Sequence, residues 1–346
     1  MRKTARWIFS ILVFVIIGLV LFVNLSEVLR RKGGGESDMV HSFYDLEENT
    51  LDVLCMGSSH GYSAFQPNTL WNEYGLTSYV LCSQRQTAAT TYYLLQEALK
   101  YQKPKILFLE SYYFFSTKKY TDEAALRLAF DGVPFSKVKY DMVQDLLEGH
   151  SRKEQLSYYI PFLKYHGRWN DLKNTDFHSN EYLKGSIFDF TVYPMNEPEL
   201  PGEGREIPEV VQEYLERIIA LCEENEIELI LFTAPYGYQD DLKGYLNKQK
   251  INITLESYLA QQNIPYFYFQ KTGEAGIDFG TDFRDYAHLN TNGAIKITRS
   301  LGSYITEHYD LPDHRDEEAY QSWQTDYEMF QARVDTVCLE DVNYAV

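Results

Sequence analysis

The feature that most constrains the fold of this chain is a set of three short apolar runs separated by helical patterns. The runs at 51–56, 78–82 and 105–110 are typical of buried strands, while a helix is predicted over part of 66–74 and over 87–101. Strands that alternate with helices in this way pair in parallel, because each crossover helix returns the chain to the same end of the sheet. The sequence therefore predicts an α/β fold with a parallel sheet that is covered on both faces.

The same alternation resumes after a long interruption. Residues 112–205 are rich in aromatic and charged residues and are predicted to form an insertion over the sheet edge at which the ligand lies. Long insertions at such positions are usually functional, so we expect this one to wall the cleft and Arg168 and Trp169 to influence the choice of substrate or partner. The other predicted elements are helices at 121–130, 136–148, 206–224, 241–262 and 293–307, and strands at 227–232 and 265–269.

The first strand ends in residues that suit nucleophilic catalysis. Gly57 allows a sharp turn and leaves Ser59 at the carboxyl end of the strand, where ligands and chemistry are found in open α/β sheets. A serine needs a base, and the loop before the last long predicted helix offers Asp285 and His288. Because these two residues are three apart, the carboxylate can orient the imidazole while the imidazole accepts the serine proton. We therefore predict a Ser-His-Asp triad.

An apolar run near the N-terminus predicts a membrane anchor. Residues 7–23 reach the lower limit of a membrane-spanning helix, and the residues up to 28 can extend it. No small-residue cleavage site follows, which favours an uncleaved anchor over a signal peptide. Basic residues flank the run on both sides, and the cluster nearest the amino terminus favours an N-terminus inside and a main domain outside. The predicted division is a cytoplasmic N-terminus at 1–6, a transmembrane anchor at 7–28, a linker at 29–39, an α/β domain at 40–308 and an acidic tail at 309–346.

Composition narrows the classes of partner. The formal net charge is -18, and because phosphate binding needs a basic face, nucleic acid is not expected as a partner. The 29 tyrosines and 20 phenylalanines fit an ordinary core and rim, and a tyrosine-rich surface also suits a carbohydrate. The four cysteines have no metal-like spacing, which indicates buried thiols rather than disulfides. They are Cys55, Cys82, Cys222 and Cys338.

The candidate site resembles a known class of enzymes. Gly57-Ser58-Ser59 after the first strand, with Asp285-x-x-His288 before the last long helix, is similar to the SGNH (GDSL-like) hydrolase class. Within that class the chain resembles the membrane-anchored cell-envelope branch, which includes the SGNH protein of teichoic-acid D-alanylation and partners of membrane-bound O-acyltransferases. The resemblance covers residues 50–112 and 206–308. It implies a three-layer α/β/α, flavodoxin-like parallel sheet with a largely helical insertion, preceded by one N-terminal transmembrane helix.

The resemblance also implies how the site is completed. In this class the backbone N–H of the nucleophile, here Ser59, contributes to the oxyanion hole, with a Gly after the second strand and an Asn after the third as further donors. This chain has neither residue at those positions. The candidates to replace them are the backbone N–H groups of Ser83 or Arg85 and the side chain of Gln86, and His60 is a candidate to line the pocket or to cap the next helix.

Weaker alternatives concern the histidines. A metal site of His60, Asp285 and His288 is allowed by ligand type but leaves the serine after the first strand without a role. His166 and His178 in the insertion fit a surface or packing role better than a site. We expect neither a metal nor an organic cofactor.

Two functions of different classes fit these features. The first is a membrane-anchored extracytoplasmic serine esterase or acyltransferase that acts on acyl groups of a cell-envelope polysaccharide or teichoic acid. The second is an accessory protein with little or no catalysis that binds a glycan or a membrane-bound O-acyltransferase. The missing Gly and Asn favour the second, and the intact Ser, His and Asp favour the first. Both place the protein in the bacterial plasma membrane, where its N-terminal helix contacts the lipid bilayer.

Overall fold

Five parallel strands form a sheet that confirms the predicted α/β class. The strands are β1 (Val53–Gly57), β2 (Ser78–Cys82), β3 (Ile106–Glu110), β4 (Glu228–Thr233) and β5 (Tyr266–Tyr268). Their order across the sheet is β2-β1-β3-β4-β5, and every pair is parallel. The computed structural model describes residues 2–30, 36–177 and 183–344. Since the chain moves from β1 to β2 and then returns to β3 on the other side, the sheet has a switch point between β1 and β3, where ligands bind in open α/β sheets.

Helices cover both faces of the sheet. The α-helices are α1 (Arg2–Leu29), α2 (Glu36–Phe43), α3 (Ser59–Tyr62), α4 (Pro67–Tyr74), α5 (Ala88–Ala98), α6 (Glu123–Phe130), α7 (Lys137–Leu146), α8 (Arg152–Tyr159), α9 (Phe162–Tyr165), α10 (Glu209–Glu224), α11 (Leu242–Gln261), α12 (Phe269–Thr272), α13 (Thr291–His308) and α14 (Gln321–Tyr344). Short 3-10 turns lie at Tyr112–Phe115, His166–Asn170, Asn174–Asp176, Leu183–Gly185 and Glu318–Tyr320.

Alternation along the strands divides the core into two layers. In β3, Leu107 and Leu109 belong to one cluster of buried residues, and Ile106 and Phe108 belong to the other. Successive side chains of a strand point to opposite faces, so each central strand is apolar on both sides. Fully burying one such side chain stabilises the fold by about 2 kcal/mol. The result is the three-layer α/β/α arrangement that the sequence predicts.

Polar side chains fix where several helices begin. Asn290 precedes α13, and its side chain accepts a hydrogen bond from the N–H of Gly293. The same kind of N-cap precedes α5, α6, α7, α8 and α11. A side-chain cap of this kind is worth about 1 kcal/mol. The cap at Asn290 sets the position of the loop that carries the candidate base.

The insertion is largely helical but only its ends reach the site. Helices α6 and α7 lie where the sequence predicts them, and α8 and α9 follow. Later, the extended backbone meets the loop before α13, because the N–H of Tyr193 donates to the carbonyl of Phe283 and that of Met195 to Phe279. The chain beyond 186 therefore supports the candidate site. His178 lies outside the described residues.

Both ends of the chain contact the α/β domain. Helix α1 is long and apolar enough to cross a membrane, and its apolar stretch is exposed. Helix α2 includes residues 36–39, which the sequence assigns to the linker, and its Val40 and Phe43 are buried in the core. In the acidic C-terminal segment, the indole N–H of Trp323 donates to the carbonyl of Ser78 at 3.1 Å. Helix α14 is thus packed on the domain.

Candidate active site

The candidate nucleophile stands at the switch point of the sheet. Ser59 is the first residue of α3, directly after β1, and Ser58 caps the helix by accepting from the N–H of His60. Gly57 has a φ of 147°, a conformation that favours glycine, and a Cβ there would lie 2.7 Å from the Cβ of Glu110. The turn from strand to helix therefore requires glycine at this position.

The carboxyl of Glu110 stabilises the turn between β1 and α3 through hydrogen bonds. This buried residue at the end of β3 accepts hydrogen bonds from the hydroxyl of Ser58 at 2.8 Å, from the N–H of Ser58 at 3.2 Å and from the N–H of Tyr112. Burial raises the pKa of Glu110 to about 7, against the lowering effect of these hydrogen bonds. Because Ser58 also caps α3, the carboxyl of Glu110 positions the residue next to the nucleophile.

The loop before α13 supplies the base and its orienting carboxylate. The N–H groups of Ala287 and His288 donate to Asp285 Oδ1 at 2.7 and 2.9 Å, so the carboxylate is fixed by its own loop. Beside it, the Arg284 guanidinium donates to the hydroxyl of Ser63 at 3.0 Å, which ties the loop to the segment after α3. The loop is thus fixed internally by its backbone N–H groups and tied to the nucleophile side of the cleft by the side chain of Arg284.

The structure brings the three predicted catalytic residues into one hydrogen-bonded chain. The Ser59 hydroxyl lies 2.8 Å from His288 Nε2, and His288 Nδ1 lies 3.1 and 3.0 Å from the two oxygens of Asp285. A carboxylate at Nδ1 fixes that nitrogen as the donor, so Nε2 accepts from the serine. Burial raises the pKa of Asp285, but the hydrogen bond and charge of His288 outweigh this effect and lower it to about 2. The arrangement suits transfer of the serine proton to the imidazole.

An open cleft of about 580 Å³ adjoins this chain. Tyrosines form much of its wall, and Lys248 is a cation on the same wall, where its Nζ donates to the hydroxyl of Tyr112 at 2.8 Å. The tyrosines that line the cleft are Tyr112, Tyr113, Tyr236, Tyr238, Tyr245 and Tyr286. Aromatic faces with hydroxyl tips present both apolar and hydrogen-bonding surface, which suits a sugar.

His60 is part of the wall rather than a helix cap. Its ring stacks on Tyr112 with a centroid distance of 3.5 Å and lies 4.7 Å from the ring of His288. Burial, and then the charge of His288, lower the pKa of His60 well below its ordinary value. A neutral imidazole next to the base avoids a second positive charge when His288 accepts a proton.

The other predicted oxyanion donors are occupied elsewhere. The N–H of Ser83 donates to the carbonyl of Gly57, and its hydroxyl donates to Gln86 Oε1 at 2.9 Å. The amide of Gln86 in turn donates to Thr91, so neither side chain lines the cleft. Arg85 does line it, with a φ of 55°, and pairs with Asp122. Of these three candidates, the structure leaves only Arg85 at the cleft.

Two residues of the insertion lie away from the cleft, contrary to expectation. The guanidinium of Arg168 donates to the carbonyl of Leu29 and pairs with Asp176, and Trp169 beside it is exposed. The prediction that the insertion walls the cleft is therefore wrong for this segment, which packs on α1. The predicted influence of Arg168 and Trp169 on the choice of substrate or partner stays a prediction. From the insertion, Tyr112 and Tyr113 at its start are the described residues that line the cleft. His166 is exposed on the same segment as Arg168.

Sequence reasoning missed several residues of the cleft. Tyr236, Lys248 and Tyr286 line it, but only Tyr236 follows a strand, three residues after β4. The rule that found Ser59 also applies to the end of β4, so Tyr236 could have been found in this way. Lys248 comes from the middle of α11, where no local pattern marks it. Among the described residues, no group of three or more His, Cys, Asp or Glu side chains is arranged to hold a metal ion.

Comparisons with known proteins do not assign this chain to a family. No family model matches the chain, and no curated protein sequence is significantly similar to it. Among solved structures, the chain is similar to a proposed acylhydrolase from Bacteroides fragilis NCTC 9343, with 11% sequence identity over 77% of this chain and 93% of that one. The TM-score is 0.38, a likeness too distant to bear on the activity of this chain.

Proposed function

We propose that the protein is a membrane-anchored serine esterase or acyltransferase that acts on acyl groups of a cell-envelope polysaccharide or teichoic acid. The observation that carries this proposal is the continuous hydrogen-bonded chain from Ser59 through His288 to Asp285. A serine hydroxyl is fully protonated at neutral pH, so a base at hydrogen-bonding distance is what makes it a nucleophile. The position of Ser59 at the switch point gives a substrate access to it.

The proposed reaction proceeds in two steps. Ser59 Oγ attacks the carbonyl carbon of an ester, and its proton passes to His288 Nε2. The bond between the carbonyl carbon and the ester oxygen then breaks, and that oxygen takes the proton from His288 and leaves as an alcohol. The acyl group stays on Ser59. In the second step, the oxygen of water or of a second hydroxyl group attacks the acyl carbon while its proton passes to His288 Nε2. The bond between that carbon and Ser59 Oγ then breaks, and Oγ takes the proton back from His288, which regenerates the free serine. Throughout, Asp285 stays ionised and holds the imidazole in one orientation.

The tyrosine-lined cleft supports a glycan as the acyl donor or acceptor. Tyr238, which is partly exposed, and Tyr286, which is exposed, line the same space as the base. The wall also carries the cation of Lys248 and the carboxylates of Asp240 and Asp241. Sugars bind to aromatic faces through their apolar C–H surface and to hydroxyl tips through hydrogen bonds. An acetyl or D-alanyl ester on such a chain would present its carbonyl to Ser59.

A non-catalytic accessory function is the second candidate, and one observation favours it. The end of β3 carries Glu110 where the resembled class has an oxyanion donor, and its carboxyl is used internally by Ser58 and Tyr112. An active enzyme would have to stabilise its oxyanion mainly with the N–H of Ser59 and with groups on the cleft wall such as Arg85. The accessory would instead use the cleft to bind a glycan or a membrane-bound O-acyltransferase.

Complementation in cells separates these two functions. Ser59→Ala is compared with wild type and with Ser303→Ala, a matched change of an exposed serine in α13. If the protein is an enzyme, Ser59→Ala leaves the acyl content of the envelope at the level of the deletion strain, and Ser303→Ala restores it. Full restoration by Ser59→Ala would overturn the catalytic proposal and support the accessory.

The proposed location is tested separately. A reporter enzyme that is active only outside the cytoplasm is fused after residue 346. We expect activity, because α1 is an apolar helix of membrane-spanning length with the domain on its C-terminal side. Activity of a cytoplasm-specific reporter at the same position would contradict the proposed topology.

A further inference from the structure

The last turn of α1 is embedded in the insertion. Ser26 and Leu29 are buried there. The N–H of Phe162 donates to the Ser26 hydroxyl at 3.0 Å, and the Arg168 guanidinium donates to the carbonyl of Leu29 at 2.7 Å. The last carbonyls of a helix lack partners within the helix, so a guanidinium from the domain completes the C-terminus of α1. The anchor and the segment at 160–169 are therefore in direct contact.

The depth of this contact follows from the length of the apolar stretch. From Trp7 to Leu25, a rise of about 1.5 Å per residue gives about 28 Å, close to the hydrocarbon thickness of about 30 Å. Phe22 lies about 4–5 Å before the end of that stretch. Its ring is 5.3 Å from the ring of Phe162. If α1 spans the bilayer, Phe162 therefore lies at the boundary between acyl chains and headgroups.

The surface beside this contact suits a lipid interface. Trp169 is 68% exposed and follows the residue that binds the end of α1. Tryptophan is enriched at membrane interfaces, because its ring is apolar and its N–H can bond to polar headgroups. Exposed Ile160 lies two residues before Phe162 and adds apolar surface to the same segment.

The basic residues of the segment do not oppose contact with lipid. Lys164 pairs with Glu123 at 2.5 Å, and Arg168 pairs with Asp176 at 2.9 Å. Both positive charges thus have partners within the domain. Contact of this segment with lipid headgroups therefore does not require the desolvation of an unpaired charge.

We propose that the segment 160–169 is a second membrane-contact element, which rests in the outer headgroup region beside α1 and places Trp169 at the boundary between headgroups and acyl chains. The inference rests on the proposed role of α1 as the anchor and is independent of catalysis. It implies that the domain has a fixed orientation on the bilayer rather than a free tether.

Quenching of tryptophan fluorescence by brominated lipid tests this inference. The full chain is reconstituted into lipid nanodiscs made of ordinary lipid or of lipid brominated near the headgroup end of its acyl chains. Of the four tryptophans, Trp7 lies in α1 and would itself be quenched by lipid, so the measurements are made in the variant Trp7→Phe. Besides Trp169, this variant keeps Trp71 and Trp323, which are both buried in the domain. Subtracting the emission of Trp7→Phe/Trp169→Phe isolates Trp169. The exposed position of Trp169 makes its replacement compatible with folding.

We expect the isolated emission of Trp169 to lose most of its intensity in brominated nanodiscs and to be shielded from acrylamide in ordinary ones. Equal emission in the two lipids, with full access to acrylamide, would overturn the inference and leave the patch free for a protein partner. Failure of the wild-type chain to incorporate into nanodiscs would overturn both this inference and the proposed anchor. An intact anchor with an unquenched Trp169 would overturn only the second contact.

Discussion

The cleft and the junction between α1 and the domain both contain ionisable side chains at the end of a packed element. The two regions differ in how far these side chains are exposed to solvent. In the cleft, the side chains of Asp285 and His288 are 42% and 23% exposed. At the junction, formed by the end of α1, α6 and α9, the side chains of Arg127 and Asp131 are 6% and 3% exposed. Arg127 lies 4.1 Å from the ring centre of Tyr158, and Asp131 accepts from the hydroxyl of Tyr165.

This difference fits the roles that we propose for the two regions. A catalytic imidazole changes its charge in every turnover, and water close to the site limits the cost of that change. Buried charges cost free energy to desolvate and are retained only with close partners, so they fix one arrangement of the surrounding elements. We therefore expect substitutions in the cleft to lower activity at nearly constant stability. Substitutions at the junction should lower stability at nearly constant activity.

The largest expected effect is the loss of activity in the cleft. Ser59→Ala and His288→Ala should each lower kcat for a small ester such as p-nitrophenyl acetate by about 10³-fold or more, and the double variant should lose little beyond either single one. Asp285→Ala should cost less, because the carboxylate acts only through His288. Rates of ester hydrolysis are compared with unfolding curves of the same proteins. Additive losses in the double variant would show that the two residues do not act as a unit.

At the junction, Arg127→Met should lower the free energy of unfolding by about 3–5 kcal/mol, because it leaves the buried carboxylate of Asp131 without its cation. The rate of hydrolysis of a soluble ester should stay unchanged below the unfolding transition. Arg217→Met is the matched control, since Arg217 and its partner Glu213 are both largely exposed. Its cost should be below about 1 kcal/mol. If both variants lowered the free energy of unfolding equally, burial of the Arg127–Asp131 pair would have no effect on what the pair contributes to stability.

Glu110, next to the cleft, is a buried side chain that can change its charge. Its pKa is raised from 4.5 to about 7 on folding, so the folded state binds the proton more tightly than the unfolded state. The resulting stabilisation is present in full below pH 4.5 and is lost as the pH rises through 7. By linkage this loss amounts to about 3 kcal/mol.

Urea unfolding of the detergent-solubilised protein at pH 5 and pH 8 measures this effect. Wild type should lose stability relative to Glu110→Gln between the two values, because glutamine does not titrate. The carboxyl of Asp285, with its pKa near 2, does not contribute in this range. A difference between wild type and variant that is the same at both pH values would show that Glu110 stays ionised in the folded protein.

Local patterns were sufficient to predict the sheet. The runs at 78–82 and 105–110 end at the same residues as β2 and β3, because a buried parallel strand is apolar on both faces and stops at polar or turn-forming residues. The same reasoning placed Ser59, Asp285 and His288 at strand ends and loops that the fold brings together. The order of the strands, however, depends on which crossovers form, and the pattern of apolar runs does not determine it.

What the sequence could not predict depends on contacts between distant segments. Arg168 reads as a surface residue of an insertion, yet it binds the end of α1 139 positions earlier. The sequence also does not predict the buried hydrogen bonds of Gln86 with Ser83 and Thr91, because a polar side chain near a strand end can face either the cleft or the core. Only the packing of the loop after β2 decides between these directions.

Labelling with a fluorophosphonate measures directly whether Ser59 is a nucleophile that is activated by His288. The full chain in detergent is treated with the reagent, and the mass of the intact protein and of its peptides is measured. We expect one adduct per chain, located on Ser59, that disappears in both Ser59→Ala and His288→Ala and persists in Ser303→Ala. An adduct that forms equally well in Ser59→Ala, or a wild-type protein that forms none, would contradict this account of the site.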